Sequence, residues 1–187
     1  MGFLTRLACV VWAAATLLAA TAPVSAQQPA FNEREVQAVF LFNFVHFVEW
    51  PAAAFDGPQS PMVICVVGED PFGSLLDDVV KGETVGSRQL IVERTRRADN
   101  GRRCHVLFIS ASEASSHDQI VAALRGQPTL TVGEAANFAM RGGMIRLLTE
   151  RNRVRLEVNV MAARAAGLTI SSNLLRSARI VGDGGIR

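Results

Sequence analysis

Six consecutive apolar residues, Met62–Val67, place the strongest constraint on how this chain can fold. A run of this length, followed directly by the turn-forming Gly68, is typical of a β-strand that is buried on both faces. Such a strand needs helices above and below its sheet, because both faces must be shielded from water. The run therefore predicts a strand inside an α/β sheet.

The rest of the chain alternates between strand-like and helix-like segments. Further strands are predicted at 89–93, 106–109, 129–132, 144–148 and 154–160. Helical patterns lie at 36–50, 71–80, 112–124, 133–140, 161–166 and 170–181. The last two strands are joined by five polar residues, which suits an antiparallel hairpin. This order predicts a single α/β domain with a mixed, mostly parallel sheet flanked by helices and with a C-terminal antiparallel hairpin.

Residues 1–26 have the features of a secretory signal peptide. Arg6 supplies a positive charge, residues 7–20 are apolar, and Val24-Ser25-Ala26 offers the small residues of a cleavage site. A retained membrane anchor is the alternative, although the apolar run is short for a bilayer span. No later stretch is long enough to cross a membrane, so we expect cleavage after about Ala26 and an exported domain of residues 27–187.

Charge and motifs exclude several classes of function. Residues 27–187 carry 18 basic and 17 acidic side chains, and this balance argues against a nucleic-acid-binding protein. The chain has no glycine-rich nucleotide fingerprint and no nucleophile elbow. Its three histidines are not spaced as metal ligands. The sequence therefore predicts no catalytic residue, no cofactor and no metal site.

Two cysteines, Cys65 and Cys104, remain after removal of the leader, and both lie at or beside predicted strands. An even number of cysteines in an exported chain suggests a disulfide, and neighbouring strands would bring the two within bridging range. The alternative is a pair of free thiols, because unpaired cysteine is among the most buried residue types.

Small and acidic residues follow two of the predicted strands. Gly68 and Asp70 come after the first, and Ser110 and Ser112 come after the strand at 106–109. Ligands of open α/β sheets bind beyond the carboxyl ends of the strands, so these four residues are candidates for a small-ligand crevice. The alternative is ordinary helix capping, for which the same residue types are preferred.

Between Ala38 and Trp50 only Asn43, His46 and Glu49 interrupt a run of apolar residues that includes four phenylalanines. A helix that is apolar nearly all round must be covered on more than one side. The segment is therefore either a helix that lies deep in the core or a helix whose second face binds a partner.

Seven segments, in their order along the chain, resemble the YfiR family of exported proteins. They are residues 47–51, 63–73, 104–113, 130–132, 142–145, 154–159 and 171–175. The resemblance implies a periplasmic protein that represses a membrane-bound diguanylate cyclase through the cyclase's periplasmic sensor region. Repression would lower cyclic-di-GMP and biofilm formation.

The resemblance also implies a Rossmann-like domain that can form a homodimer, and a cystine that matches Cys65 and Cys104. A second cystine, found in the best-known member of the family, has no counterpart in this chain. The resemblance further favours a partner surface on the aromatic helix, because aromatic residues commonly anchor interfaces. The residues predicted for that surface are Phe44, Phe47, Val48 and Trp50.

Three other functions remain open at this point. One is a periplasmic adaptor or ligand-binding module that serves a different membrane receptor, such as a sensor kinase. Another is the binding protein of a transporter, although such proteins usually clamp their ligand between two lobes. An enzyme would require two of the following residues to be adjacent in a pocket: His46, His105, His117, Glu69 and Asp70.

Overall fold

The computed structural model describes residues 32–95 and 103–182, so the predicted signal peptide lies outside the described residues. The helices are α1 (Glu33–Phe47), α2 (Ser74–Val80), α3 (His117–Ala123), α4 (Val160–Ala165) and α5 (Ser172–Arg176). The strands are β1 (Val48–Glu49), β2 (Met62–Val67), β3 (Thr84–Val85), β4 (Arg88–Thr95), β5 (Val106–Ile109), β6 (Leu130–Gly133), β7 (Ile145–Glu150), β8 (Arg153–Val158), β9 (Thr169–Ile170) and β10 (Arg179–Ile180).

Eight strands form one mixed sheet, in the order β3-β4-β2-β5-β6-β7-β8-β10. The five strands from β4 to β7 are parallel to one another, whereas β7 and β8 form the expected antiparallel hairpin. The remaining two strands, β1 and β9, pair separately. The predicted fold class, a mostly parallel sheet flanked by helices with a C-terminal hairpin, is confirmed.

Side chains of the central strands alternate between two hydrophobic clusters, one on each face of the sheet. Ile64 and Val66 of β2 point to the face covered by α1, α2, α4 and α5. Val63, Cys65 and Val67 point to the opposite face, where α3 packs. All six residues of β2 are buried, which is why the strand has no polar position. Alternate side chains on a strand face opposite sides, so an entirely apolar run serves both clusters.

The direction in which the chain leaves the sheet changes between β2 and β5. From β2 the chain passes through α2 to β4 on one side, and from β5 it passes through α3 to β6 on the other. Helices that diverge in this way leave a gap between the carboxyl ends of the two strands, which is the usual ligand position in open α/β sheets. The predicted crevice residues therefore lie at the point where the topology reverses.

Helix α1 begins at a side-chain cap and ends where β-pairing begins. The Asn32 side chain accepts a hydrogen bond from the Glu35 backbone N–H (3.3 Å), which satisfies one of the unpaired donors of the first turn. The helix ends at Phe47, three residues before Trp50, where the sequence predicts the break. It ends early because Val48 and Glu49 pair with β9.

One predicted helix is wrong, and another is much shorter than predicted. Residues 133–140 form the end of β6 and a series of turns, because Asn137 adopts a positive φ (59°) and the ring of Phe138 packs against the backbone. A left-handed residue interrupts a right-handed helix. The segment 170–181 divides into the end of β9, α5 and β10. Ser171 caps the short helix, and Arg179 begins the pairing with β8.

Candidate functional site

Cys65 and Cys104 form a disulfide in the structure. Cys65 lies in β2 and Cys104 lies two residues before the start of β5, with 5.7 Å between their Cα atoms. Both side chains are buried in the cluster on the α3 face. The bridge joins neighbouring strands across 39 residues of sequence. The sequence left open either a disulfide or two free thiols, and the structure contains the disulfide.

Three of the four predicted crevice residues, Gly68, Ser110 and Ser112, come together and pack against each other. Ser112 Oγ accepts a hydrogen bond from the Glu69 backbone N–H (2.9 Å), and Ser110 Oγ accepts one from the Ser112 N–H (3.4 Å). Gly68 has a positive φ of 88°, and a Cβ there would lie 2.4 Å from Ser112 Oγ. The contact therefore leaves no space for a ligand between Gly68 and Ser112. Binding of a small ligand elsewhere along this edge stays a prediction.

Arg94, which sequence reasoning missed, holds the loop that contains Asp70. Asp70 Oδ1 accepts from the Phe72 N–H (2.8 Å), and Asp70 Oδ2 lies 2.7 Å from Arg94 Nε. The same guanidinium contacts Asp77 of α2 and the Gly73 carbonyl. The hydrogen bond between Arg94 and Asp77 lowers the pKa of the Asp77 carboxyl and raises the pKa of the Arg94 guanidinium. Both carboxylate oxygens of Asp70 therefore already have partners within the protein.

Phe44 and Val48 belong to the core, so their assignment to a partner surface is wrong. Phe44 has no exposed surface and Val48 retains 5%. Phe44 lies with Leu41 on the side of α1 that faces the sheet, and Val48 of β1 belongs to the same core cluster. Phe47 is only partly buried, and its place in a partner surface stays a prediction.

Trp50 takes part in a cluster at the amino end of β2 and β5. Its indole Nε1 donates to the His105 carbonyl (3.2 Å). The imidazole of His105 stacks on Phe55 at 4.5 Å between ring centroids, and the Arg88 guanidinium lies 3.7 Å from the Phe55 centroid. Trp50 is partly buried and has a structural role here, whereas a role in partner binding is still a prediction.

His105 is held in its neutral form by two backbone groups. Nδ1 accepts from the Val63 N–H (3.0 Å), which places the ring proton on Nε2, 3.1 Å from the Ala54 carbonyl. Burial is the main reason that the pKa of His105 is lowered from its ordinary value of 6.5. Protonation at Nδ1 would remove the bond from Val63, so the neutral ring is part of the fold.

The outward face of α1 carries apolar residues that the sequence analysis did not single out. Val39 is 40% exposed, and Phe42 is partly exposed beside His46, with 5.2 Å between the ring centroids. Positions 39, 42 and 46 lie on one side of a helix at the usual spacing of three and four residues. This spacing, opposite to that of Leu41 and Phe44, is the signal by which the sequence could have identified the surface.

The three histidines occupy separate parts of the fold. His46 lies on the outside of α1, His105 at the amino end of β5, and His117 at the start of α3. His117 is buried, with Nδ1 2.9 Å from Asp118 Oδ1, and Asp118 pairs with Arg141. Within residues 32–95 and 103–182, no three His, Cys, Asp or Glu side chains are grouped to hold a metal ion.

Comparisons with known proteins give a family and a fold. A family model described as YfiR/HmsC-like matches residues 34–179. A crystal structure of a conserved domain protein from Vibrio cholerae is similar with a TM-score of 0.52 at 14% identity, over 79% of this chain and 59% of that one. An ABC domain in complex with L-Trp from Streptococcus pneumonia gives 0.48 at 10% identity, over 64% and 55%. At 14% identity the first similarity indicates a shared fold only, and the second is too low to support a conclusion.

Proposed function

The chain belongs to the YfiR/HmsC-like family, and we propose that it is a periplasmic protein that represses a membrane-bound diguanylate cyclase by binding the cyclase's periplasmic sensor region. The observation that carries the proposal is the extent of the family match, which runs from the first turn of α1 to β10. The cystine supports an oxidising compartment, because structural disulfides persist mainly outside the cytosol. In the described part of the chain, no helix is both long enough and apolar enough to cross a membrane.

Repression follows if the protein binds the inactive conformation of the sensor region more tightly than the active one. A binding partner shifts a two-state equilibrium only by its differential affinity. Moving the cyclase from almost entirely active to almost entirely inactive takes a preference of about 10⁴-fold. Release then needs a competing partner, a change in the disulfide, or a small ligand.

The outward face of α1 is the surface that we propose for the sensor region. It carries Val39 and the partly buried Phe42, and the partly buried Phe47 lies next to it in the last turn of α1. Partly exposed aromatic side chains on a rigid helix are typical anchors of protein interfaces. The packing of Phe44 and Leu41 against the sheet fixes the orientation of this face, so substitutions on the outside can be separated from damage to the core.

The proposal is tested by measuring intracellular cyclic-di-GMP in a deletion strain. We expect cyclic-di-GMP to rise on deletion and to return to its original level when the wild-type gene is supplied. Complementation with the Cys65→Ser, Cys104→Ser variant then shows whether the bridge is needed, with immunoblots of periplasmic fractions to confirm equal protein levels. An unchanged level on deletion would contradict cyclase repression and favour an adaptor for another receptor, such as a sensor kinase.

A binding assay with purified proteins tests the identity of the partner independently of cyclic-di-GMP levels in the cell. The mature protein and the purified periplasmic region of a candidate cyclase should form a complex that Phe42→Asp and Phe47→Asp abolish. Sedimentation of the protein alone in the same experiment measures its oligomeric state. A complex that survives both substitutions would place the sensor region on a different surface.

A further inference from the structure

The hairpin formed by β7 and β8 extends beyond the strands on either side of it. Strand β6 pairs only with Ile145 and Arg146 of β7. Strand β10 pairs only with Glu157 and Val158 of β8. Four residue pairs, beginning with Leu147 and Leu156 and ending with Glu150 and Arg153, therefore form a projecting arm about 10 Å long.

The arm is fixed at both of its ends. Arg151 and Asn152 form its two-residue turn with positive φ values of 52° and 57°, the geometry that fits the twist of a β-hairpin. At its base Leu147 and Leu156 are buried in the core cluster beneath α1. The edge that it presents is thus held in an extended conformation by the fold.

The outer edge of β8 directs unpaired backbone groups to the surface. The Asn159 N–H bonds to the Met144 carbonyl, and antiparallel pairing alternates along a strand, so Glu157, Arg155 and Arg153 also bond towards β7. The alternate residues face outwards, as the bond from the Val181 N–H to the Val158 carbonyl shows. Within the described residues, no strand pairs with Arg153–Leu156 on the outer side. The N–H group of Val154 is therefore offered to a further strand, and that of Leu156 lies at the base of the arm, where the residue is only 3% exposed.

The side chains around this edge are basic. Arg151, Arg153 and Arg155 are exposed, and none of them has an ion pair in the described part of the chain. The segment 145–182 has seven arginines and two glutamates, whereas 32–95 and 103–144 together have seven basic and thirteen acidic residues. One of the two glutamates, Glu157, is buried and paired with Arg146 and Arg179. Five of these seven arginines lie on β7, β8, β10 and the turn of the hairpin, so positive charge is concentrated at this edge of the sheet.

Charged residues on an edge strand usually prevent pairing with another chain. Here the two charged residues of the open edge, Arg153 and Arg155, have the same sign, although Glu150 of β7 lies opposite Arg153. The two arginines oppose pairing with a second copy of β8 but favour an acidic strand. Arg153 and Arg155 lie on the same face, two residues apart. A docked strand with a carboxylate at every second position would bring two of its acidic side chains opposite these arginines.

We propose that the outer edge of β8, residues Arg153–Leu156, binds an extended acidic segment of a partner protein as an added β-strand. The backbone groups supply the hydrogen bonds, and the arginines select for acidic sequences. The inference extends the proposed function by giving the chemistry of a second contact with the partner. It rests on that function only in taking the partner to be a protein.

The test uses the mature protein and a labelled peptide of alternating Glu and Val residues, with binding measured by fluorescence anisotropy. Two further peptides isolate the two contributions. In one, alternate backbone nitrogens are methylated, which removes hydrogen-bond donors without changing charge; in the other, Lys replaces Glu. We expect only the unmodified acidic peptide to bind. Its affinity should fall about tenfold or more in the Arg153→Glu, Arg155→Glu variant and with added salt.

The matched control is Arg125→Glu, Arg164→Glu, which reverses two exposed arginines on other elements and should leave binding unchanged. Amide exchange of Val154 should slow when the peptide is added. Equal binding of the methylated peptide, or no binding at millimolar concentration, would overturn the proposal. So would salt-sensitive self-association in which β8 pairs with β4 of another copy. Because the peptide assay is independent of cyclic-di-GMP, its result does not depend on that of the deletion strain.

Discussion

Removal of the Cys65–Cys104 bridge should lower the free energy of unfolding by about 4 kcal/mol. The magnitude follows from the sequence separation of 39 between the cysteines, because a cross-link of that span removes loop-closure entropy from the unfolded chain. For a domain of this size, such a loss corresponds to a fall in melting temperature of about 8 to 16 °C. Urea unfolding of the Cys65→Ala, Cys104→Ala variant measures the loss, and alanine avoids placing a serine hydroxyl in the apolar cluster on the α3 face.

Two controls separate the cross-link from side-chain packing. Wild-type protein unfolded with a reductant present should lose about the same free energy as the double variant. Cys65→Ala alone should lose nearly as much as the double variant, because either substitution opens the same loop. A loss below about 1 kcal/mol, or single substitutions whose effects add up to that of the pair, would refute the loop-entropy reasoning.

Four further predictions concern the core, the outer face of α1, the strand-end contact and His105. Phe44→Ala should cost about 3 to 5 kcal/mol in urea unfolding, whereas Phe42→Ala should cost less than about 1 kcal/mol because its ring is partly exposed; similar losses would contradict the assigned orientation of α1. Phe47→Asp should abolish repression of cyclic-di-GMP synthesis while the melting temperature stays near the wild-type value; a collapsed fold would show that the residue is core. Gly68→Ala should destabilise by about 1 to 3 kcal/mol, because φ is 88° and the new Cβ meets Ser112 Oγ; Ser112→Gly in the same chain should recover part of the loss, and no recovery would exclude the clash as a cause. The pKa of His105 is lowered in the fold, so the unfolded chain binds more protons and stability should fall as the pH drops below about 6.5; this dependence should be weaker in His105→Asn, and an equal slope would assign it to other groups.

Local sequence patterns were sufficient to predict the central strands. Strands β2 and β5 begin and end where the apolar runs predict, because a strand buried on both faces is marked by composition alone. The hairpin was also predictable, although its turn is two residues long instead of five. The central arrangement follows from alternating strands and helices, for which few topologies are available.

Features that depend on distant pairing were not predictable. Nothing near Val48 indicates that it leaves the helix to pair with Ile170, and nothing near Arg179 indicates a tenth strand. The exclusion of Phe44 from the surface depends on which side of α1 meets the sheet. A helix that is apolar on nearly all sides has too weak a pattern to show that direction.

The pairing of β1 with β9 has a consequence for the order of folding. Val48, near the start of the described chain, pairs with Ile170, near its end, and α1 packs on strands that follow it along the chain. Contacts between such distant residues form late, because the loop between them must close first. A chain that emerges with its amino terminus first cannot complete this fold until residue 170 is free, so α1 and β1 reach their final packing only after nearly the whole domain has emerged.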